Sequence, residues 1–241
     1  MAIGVAATEL DHNRVLAPLP KVERTRLAAR LEPYRFVHDM IVQAGAPISH
    51  AYFPTRGMIS VVAALKSGRR AEIATVGSEG FVGLPLFLGS SRSLHEITSQ
   101  VAGHGVRMAA AAFTEETTRN PVFRTRLLRY TELRTAMLGQ TAACNATHRV
   151  GARLARWLLL SHDSVDGDDF VLTHEFLSQM LASERPSVTL AAGALQKRGL
   201  ITYHRGNVRI KDRPALERAA CECYEVVRRE QERLMESTPK R

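Results

Sequence analysis

The sequence predicts an α+β chain in which an N-terminal antiparallel β-roll, a long helix and a C-terminal winged helix-turn-helix follow one another. Short β-type runs separated by glycines lie between Tyr34 and Phe113, and a long helical pattern begins at Pro121. Two short helical patterns then meet near Pro186. We therefore divide the chain into a roll at 1–120, a dimerisation helix at 121–148 and a winged helix-turn-helix unit at 149–241.

The N-terminal region has the pattern of a small antiparallel roll. A short amphipathic helix over 20–31 precedes it, with Pro20 at its first position, where a missing N–H has no helical partner to lose. The runs FVHDMIV, MISVVAAL, AEIATV and ITSQVAG follow, with glycines between them. Strands at intervals of about 8–12 residues with such turns are typical of a small barrel or roll.

The pattern that begins at Pro121 predicts a helix of about 27 residues, which spans about 40 Å and is longer than a small roll needs for cover. Its apolar or small side chains recur at steps of three and four: Tyr130, Leu133, Met137, Thr141, Cys144 and His148. Such a seam faces one neighbour. We expect that neighbour to be the same helix of a second copy in a symmetric dimer. Burial against its own domain is the alternative.

A second helix over 149–162 carries the only tryptophan, Trp157, on an apolar face, and we expect this side chain to belong to a core. After it, Pro186 marks the boundary between two further helices. Thr173 is placed to cap the first of them, and Ala182 and Ser183 form a tight turn. A proline in the first turn of the second helix removes no helical hydrogen bond.

The segment after the second helix completes the unit. Gly199 ends the helix, and LITYHRGNVRIKD predicts two short strands joined across 205–207, a wing. Between Arg185 and Lys211 the chain has no acidic residue and six basic ones: Arg185, Lys197, Arg198, Arg205, Arg209 and Lys211. The net charge of +9 and the pI of about 10.0 agree with a polyanionic partner.

Side chains in the first turn and on the outward face of the second helix can enter the major groove of double-stranded DNA. In this sequence they are Arg185, Pro186, Ser187 and Thr189. Arginine pairs with two acceptors of guanine, and the two hydroxyls can contact bases or phosphates. The other candidate DNA-binding residues are Thr173, Lys197, Arg198 and Arg205, of which the basic three are expected near phosphates.

Three segments resemble the Crp/Fnr family of transcription regulators over nearly the whole chain. They are YFPTRGMISVV from Tyr52, GSEGFVGLPLF from Gly77 and THEFLSQMLASERPSVTLAAGALQKRGLITYHRGNVRI from Thr173. The resemblance implies a cyclic nucleotide-binding-like roll that senses a signal and a homodimer that binds a palindromic site. It also implies that the acidic turn Asp163–Asp169 lies near the surface that contacts RNA polymerase in activators of the family.

The resemblance implies an effector site at Gly83, Leu84, Arg92 and Ser93. Family members that bind cyclic AMP carry a Gly-Glu pair and, several residues later, an arginine followed by serine or threonine. The arginine binds the cyclic phosphate and the carboxylate binds the ribose hydroxyl. Here Leu84 replaces the carboxylate, although Arg92 and Ser93 are present. The resemblance thus implies an incomplete cyclic-nucleotide site and leaves the effector open, and a DNA-binding dimer without an effector is the alternative.

The three cysteines predict neither a disulfide framework nor a metal site. No cysteine precedes Cys144, which excludes an iron–sulfur centre in the roll. Cys221 and Cys223 are expected on one helix, about 200° apart, where they suit joint ligation poorly. A cupin-like metalloenzyme would need closely spaced histidines, and no His-x-His occurs, so we predict no enzyme.

The sequence also predicts where the protein works. No run of about 18 apolar residues is present, so we expect no membrane span. The N-terminal residues lack the basic and apolar segments of a secretion signal. With few cysteines, the cytoplasm is the expected location.

Overall fold

The computed structural model describes residues 5–165, 167–204 and 206–235. A 3₁₀ helix at Ala7–His12 begins the described chain. The N-terminal domain then consists of α1 (Lys21–Ala28), β1 (Glu32–Phe36), β2 (Met40–Val42), β3 (His50–Pro54), β4 (Met58–Ala64), β5 (Arg70–Val76), α2 (Leu84–Phe87), β6 (Glu96–Val101), β7 (Gly103–Ala109) and α3 (Ala110–Arg119).

The strands form two antiparallel sheets, in the orders β1-β7-β3 and β2-β6-β4-β5, which confirms the predicted roll. The run FVHDMIV contains the end of β1 and the whole of β2, and these strands belong to different sheets.

Gly57 connects β3 to β4 with φ +85°, and a Cβ there would lie 2.6 Å from the carbonyl oxygen of Val101. Only glycine fits this close approach of two chain segments.

The long helix α4 (Pro121–Thr147) packs onto the roll through aromatic side chains. The ring of Tyr130 lies 5.1 Å from that of Phe81, and a Cβ on Gly80 would lie 2.1 Å from the Tyr130 ring. Phe53, Phe113 and Phe123 continue this cluster, which fills the space between the sheets and the helices.

Most of the seam predicted for dimerisation is buried inside the single chain, with Thr141 and His148 half-buried, so that interpretation was wrong. Tyr130, Leu133 and Met137 belong to the core of the roll, and Cys144 is also buried. The C-terminal helix α9 (Cys223–Met235) adds Val227, Leu234 and Met235 to the same core. Because α9 and the roll together cover Tyr130, Leu133 and Met137, a second copy has no access to these side chains.

The C-terminal region consists of α5 (Val150–His162), β8 (Asp169–Val171), α6 (His174–Met180), α7 (Arg185–Lys197), β9 (Ile201–His204), β10 (Asn207–Ile210) and α8 (Arg213–Ala219), followed by α9. A second core joins α5 to the helix-turn-helix, and Trp157 lies in it at 3% exposure, as predicted. Met58, Val62 and Val101 of the roll belong to this core as well. The roll and the C-terminal unit therefore share buried surface.

Candidate DNA-binding surface

The turn between α6 and α7 depends on Ala182, whose φ of +44° lies in the left-handed region. The hydroxyl of Ser183 donates to the carbonyl of Leu181 at 2.9 Å. The guanidinium of Arg153, buried on α5, donates to the same carbonyl. These bonds satisfy a carbonyl at the end of α6 and set the direction in which α7 leaves the turn.

The helix α7 begins at Arg185, so Pro186 lies in its first turn, as predicted. Val188, Ala192 and Leu195 are buried against the domain core. The predicted groove-facing side chains are exposed at the start and on the outward side of α7: Arg185, Pro186, Ser187 and Thr189. The structure therefore presents all four on one accessible surface.

Leu190 lies beside these residues and is 76% exposed, although it is not among the residues predicted from the sequence. A leucine on an outward helix face is suited to contact the methyl group of thymine in the major groove. The signal was present in the spacing, because Leu190 follows the buried Val188 by two positions, about 200° around the helix.

The remaining candidates surround α7. Thr173 accepts a hydrogen bond from the backbone N–H of Phe176 at 3.1 Å, so it caps α6 as predicted and remains exposed. Lys197 and Arg198 are exposed at the opposite end of α7. Arg205 lies outside the described residues.

The wing is a three-stranded antiparallel sheet in the order β8-β10-β9. Asn207 pairs with His204 across the hairpin, which matches the predicted strands. Arg209 donates two bonds of 2.7 and 2.6 Å to Asp169 on β8, and this pair lowers the pKa of Asp169. The basic side chain of Arg209 is therefore paired with an acidic residue of the wing itself.

The four candidate effector residues lie near α2 and in the loop before β6. Gly83 has φ +118° and precedes Leu84, which packs half-buried on the roll core. Arg92 is exposed, and its Nη1 donates to the carbonyl of Gly45 at 2.7 Å. Ser93 is buried and donates to the carbonyl of His95 at 2.7 Å. Both polar side chains therefore bind carbonyls of the roll itself.

Two family models match the regions whose geometry is described above. The cyclic nucleotide-binding domain matches residues 37–120, and the Crp-like helix-turn-helix domain matches residues 152–219. Together the two matches span more than half of the chain. The chain belongs to the Crp/Fnr family. It is accordingly a DNA-binding transcription regulator.

Solved structures of other Crp/Fnr-type proteins share this fold. A transcriptional regulator of the CRP family from Thermus thermophilus is 24% identical, with a TM-score of 0.63 over 78% of this chain and 96% of that chain. FixK2 from Bradyrhizobium japonicum is 13% identical, with a TM-score of 0.66 over 79% and 98%. The c-di-GMP responsive global regulator CLP from Xanthomonas campestris is 18% identical, with a TM-score of 0.60 over 77% and 96%. Among curated protein sequences no significant match is found.

In this Crp/Fnr regulator the long helix is fastened to the roll by a buried cation. Arg134 on α4 donates through Nη1 to the carbonyl of Thr75 on β5 at 2.8 Å. Nearby, Nε2 of Gln100 on β6 lies 3.7 Å from the sulfur of Met180 on α6. Helix α6 and the roll are therefore in direct side-chain contact.

Within the described residues, no helix is both long and apolar enough to cross a bilayer.

The cysteines of this Crp/Fnr chain do not have the geometry predicted from the sequence. Cys221 precedes α9 and Cys223 begins it, so the two are not separated by a turn of one helix. Their two sulfurs instead lie close to the sulfur of Cys144 and to the ring of His148, at the end of α4. Our prediction for the geometry of the Cys-x-Cys pair was therefore wrong, because the helix begins two residues later than that prediction required.

Proposed function

We propose that this regulator binds a palindromic site on double-stranded DNA as a homodimer, with α7 in the major groove and the wing beside the phosphate backbone. The observation that carries the proposal is the outward surface of α7, where Arg185, Ser187 and Leu190 are exposed together. Lys197 and Arg198 extend this surface toward phosphates. The protein acts in the cytoplasm and catalyses no reaction of its own under this proposal.

A second face of α4 supports the homodimer. Leu128 and Leu138 are 50% and 37% exposed, although both are large apolar side chains. They lie on a stripe that continues, at helical spacing, through Thr131, Thr135, Ala142 and Ala146. None of these six side chains is charged, and the hydroxyls of Thr131 and Thr135 donate to carbonyls of the helix itself. Such a surface suits a two-fold contact between two copies of α4.

Regulation without a cyclic nucleotide is a second candidate, and the positions of Arg92 and Ser93 favour it. Both donate to carbonyls of the roll, and Leu84 offers no carboxylate for a ribose hydroxyl. CLP from Xanthomonas campestris is described as c-di-GMP responsive, so that nucleotide belongs in the test beside cyclic AMP.

The experiment selects bound DNA from a random pool with the purified full chain at one fixed salt concentration. One arm contains cyclic AMP, one contains cyclic di-GMP, and one contains neither. A palindromic site enriched equally in all arms supports an effector-independent dimer. Enrichment only with a nucleotide would show that the roll binds it despite Leu84. A single half-site without a symmetric copy would contradict the homodimer.

A contact with RNA polymerase at the acidic turn is the last part of the proposal. Asp163 accepts hydrogen bonds from Arg213 and Tyr224, which ties it to the fold. The side chain of Asp168 is 63% exposed, and its Oδ1 lies 2.9 Å from Nε2 of His162. Asp168→Lys should abolish activation in transcription with purified polymerase and leave DNA affinity intact. A parallel fall in DNA affinity would make the turn structural.

A further inference from the structure

Four side chains with metal-binding atoms converge where α4 ends and α9 begins: Cys144, His148, Cys221 and Cys223. Their ligand atoms all lie within 4.8 Å of one another. The sulfurs of Cys144 and Cys221 are 3.5 Å apart, and the sulfur of Cys223 is 3.6 Å from Nδ1 of His148. A tetrahedral zinc ion with bonds of about 2.3 Å to sulfur and about 2.0 Å to nitrogen keeps its ligand atoms about 3.5–3.8 Å apart.

We propose that these four residues form a zinc site with three cysteine ligands and one histidine ligand. The proposal goes beyond DNA binding and does not rest on the proposed function. The ligands come in two pairs, one at the end of α4 and one at the start of α9. Cys144 and His148 are four residues apart at the end of α4, so they share one side of it. Cys221 and Cys223 precede and begin α9, which brings both sulfurs to the same end of that helix.

The groups around the four ligands fit a thiolate-rich metal centre. Nη1 of Arg156 lies 3.9 Å from the sulfur of Cys144. Zinc with three thiolates and a neutral imidazole has a net charge of −1, which a neighbouring guanidinium stabilises. The amide nitrogen of Gln140 donates to the sulfur of Cys223 at 3.0 Å. Sulfur ligands of metals commonly accept such bonds from a second layer of side chains.

His148 is oriented as a metal-binding histidine would be. Its Nε2 lies 3.2 Å from a carboxylate oxygen of Glu222, while its Nδ1 faces the sulfurs. A carboxylate on the outer nitrogen holds the ring and selects the tautomer whose other nitrogen binds the metal. A redox pair of cysteines would need only Cys144 and Cys221 and would leave this arrangement of His148 without a role.

The donor set favours zinc over other metals. Thiolates and imidazole suit zinc, and a centre closed by four protein ligands is typical of a structural site. The site connects α4 to α9 and, through Arg156, to α5. Zinc there fastens the junction between the long helix and the DNA-binding unit.

The first test measures metal content in the full chain, purified under reducing conditions without a histidine tag and with zinc supplied in the medium. We expect about one zinc ion per chain. Cys144→Ser, Cys223→Ser and His148→Gln should each weaken zinc binding by more than about 100-fold, since second-layer changes alone weaken it by about 10–100-fold. His38→Ala, which replaces an exposed histidine of the roll, is the matched control and should retain zinc.

The second test uses the wild-type chain alone, so it does not depend on whether the variants fold. Cobalt(II) added to the metal-free protein should produce the visible bands of a tetrahedral site and strong thiolate-to-cobalt charge transfer, and zinc should displace it. No metal in the purified or reconstituted protein would overturn the proposal. Iron with acid-labile sulfide, or a Cys144–Cys221 disulfide in protein supplied with zinc under reducing conditions, would overturn it as well.

Discussion

The indole N–H of Trp157 donates a hydrogen bond of 2.9 Å to Oε1 of Glu72, across the contact between the DNA-binding unit and the roll. Ser60 donates to the other carboxylate oxygen. Glu72 is buried, and this burial raises the pKa of its carboxyl above the ordinary value of 4.5 although both hydrogen bonds act in the opposite direction. A buried ionisable group therefore lies at the point where the two units meet.

Glu72→Gln should stabilise the folded protein at neutral pH relative to wild type. The carboxyl pKa is higher in the folded than in the unfolded chain, so the folded state binds its proton more tightly. The stability that this group contributes is complete below the unfolded pKa and is lost as pH rises through the folded pKa. Glutamine can accept the bond from Trp157 without a charge, so the variant should lack this pH dependence.

The measurement is the free energy of unfolding by urea for wild type and Glu72→Gln across the acidic and neutral range. The difference in favour of the variant should grow as pH rises. Glu9→Gln, which replaces an exposed glutamate, is the control and should follow wild type. A difference that stays constant with pH would show that Glu72 is not the titrating group.

The sequence predicted those parts of the fold that local rules determine. Pro186 and Thr173 mark helix starts by their own chemistry, and glycines such as Gly57 mark turns that no other residue fits. The spacing in α4 correctly predicted a seam that faces a neighbour, but the neighbour was wrongly identified as a second copy. Periodicity shows that a face is covered and does not show whether the same chain or a second copy covers it.

The cysteine cluster shows a different limit of sequence reasoning. Cys144 and His148 had the spacing of two ligands on one helix face, and their contribution to a site became visible only once the chain placed Cys221 and Cys223 opposite them. The four residues come together because α9 begins at Cys223 and leaves Cys221 outside the helix. Helix boundaries are the least certain feature of a sequence-based prediction. Leu190 is likewise absent from the prediction, and its position on the outward face became evident from its exposure in the structure.

Arg185→Ala and Lys197→Ala should separate base reading from phosphate binding. Loss of a bidentate arginine–guanine contact should cost about 1–3 kcal/mol and relax the preference at one base pair per half-site. Loss of Lys197 should weaken binding to all sequences alike and reduce the salt dependence of the affinity. Binding to the selected site and to single-base variants of it, at several salt concentrations, distinguishes the two effects. Uniform weakening by Arg185→Ala would make that residue a phosphate contact.

Leu138→Glu should convert the proposed dimer into a monomer. A carboxylate on the uncharged stripe of α4 would meet its own copy across the two-fold axis, where like charges repel. Sedimentation equilibrium should show half the wild-type mass, and affinity for a palindromic site should fall by at least about tenfold, or about 1.4 kcal/mol. Ala136→Glu places the same charge on another exposed side of α4 and should remain dimeric. If Leu138→Glu and Ala136→Glu both remained dimeric, this stripe would be excluded as the dimer contact.

Removal of zinc should weaken DNA binding without changing the preferred site. The proposed metal site joins α4 to α9, and Arg153 on the neighbouring α5 donates to the carbonyl of Leu181 at the turn before α7. Without the metal, the two α7 helices of a dimer would have to be ordered on binding, which lowers affinity. Fluorescence anisotropy with zinc-loaded and chelator-treated protein should show a loss of about tenfold, or about 1.4 kcal/mol, that added zinc reverses. The same treatment of Cys223→Ser should have no further effect, and an unchanged affinity of zinc-free wild type would confine the metal to a role in stability.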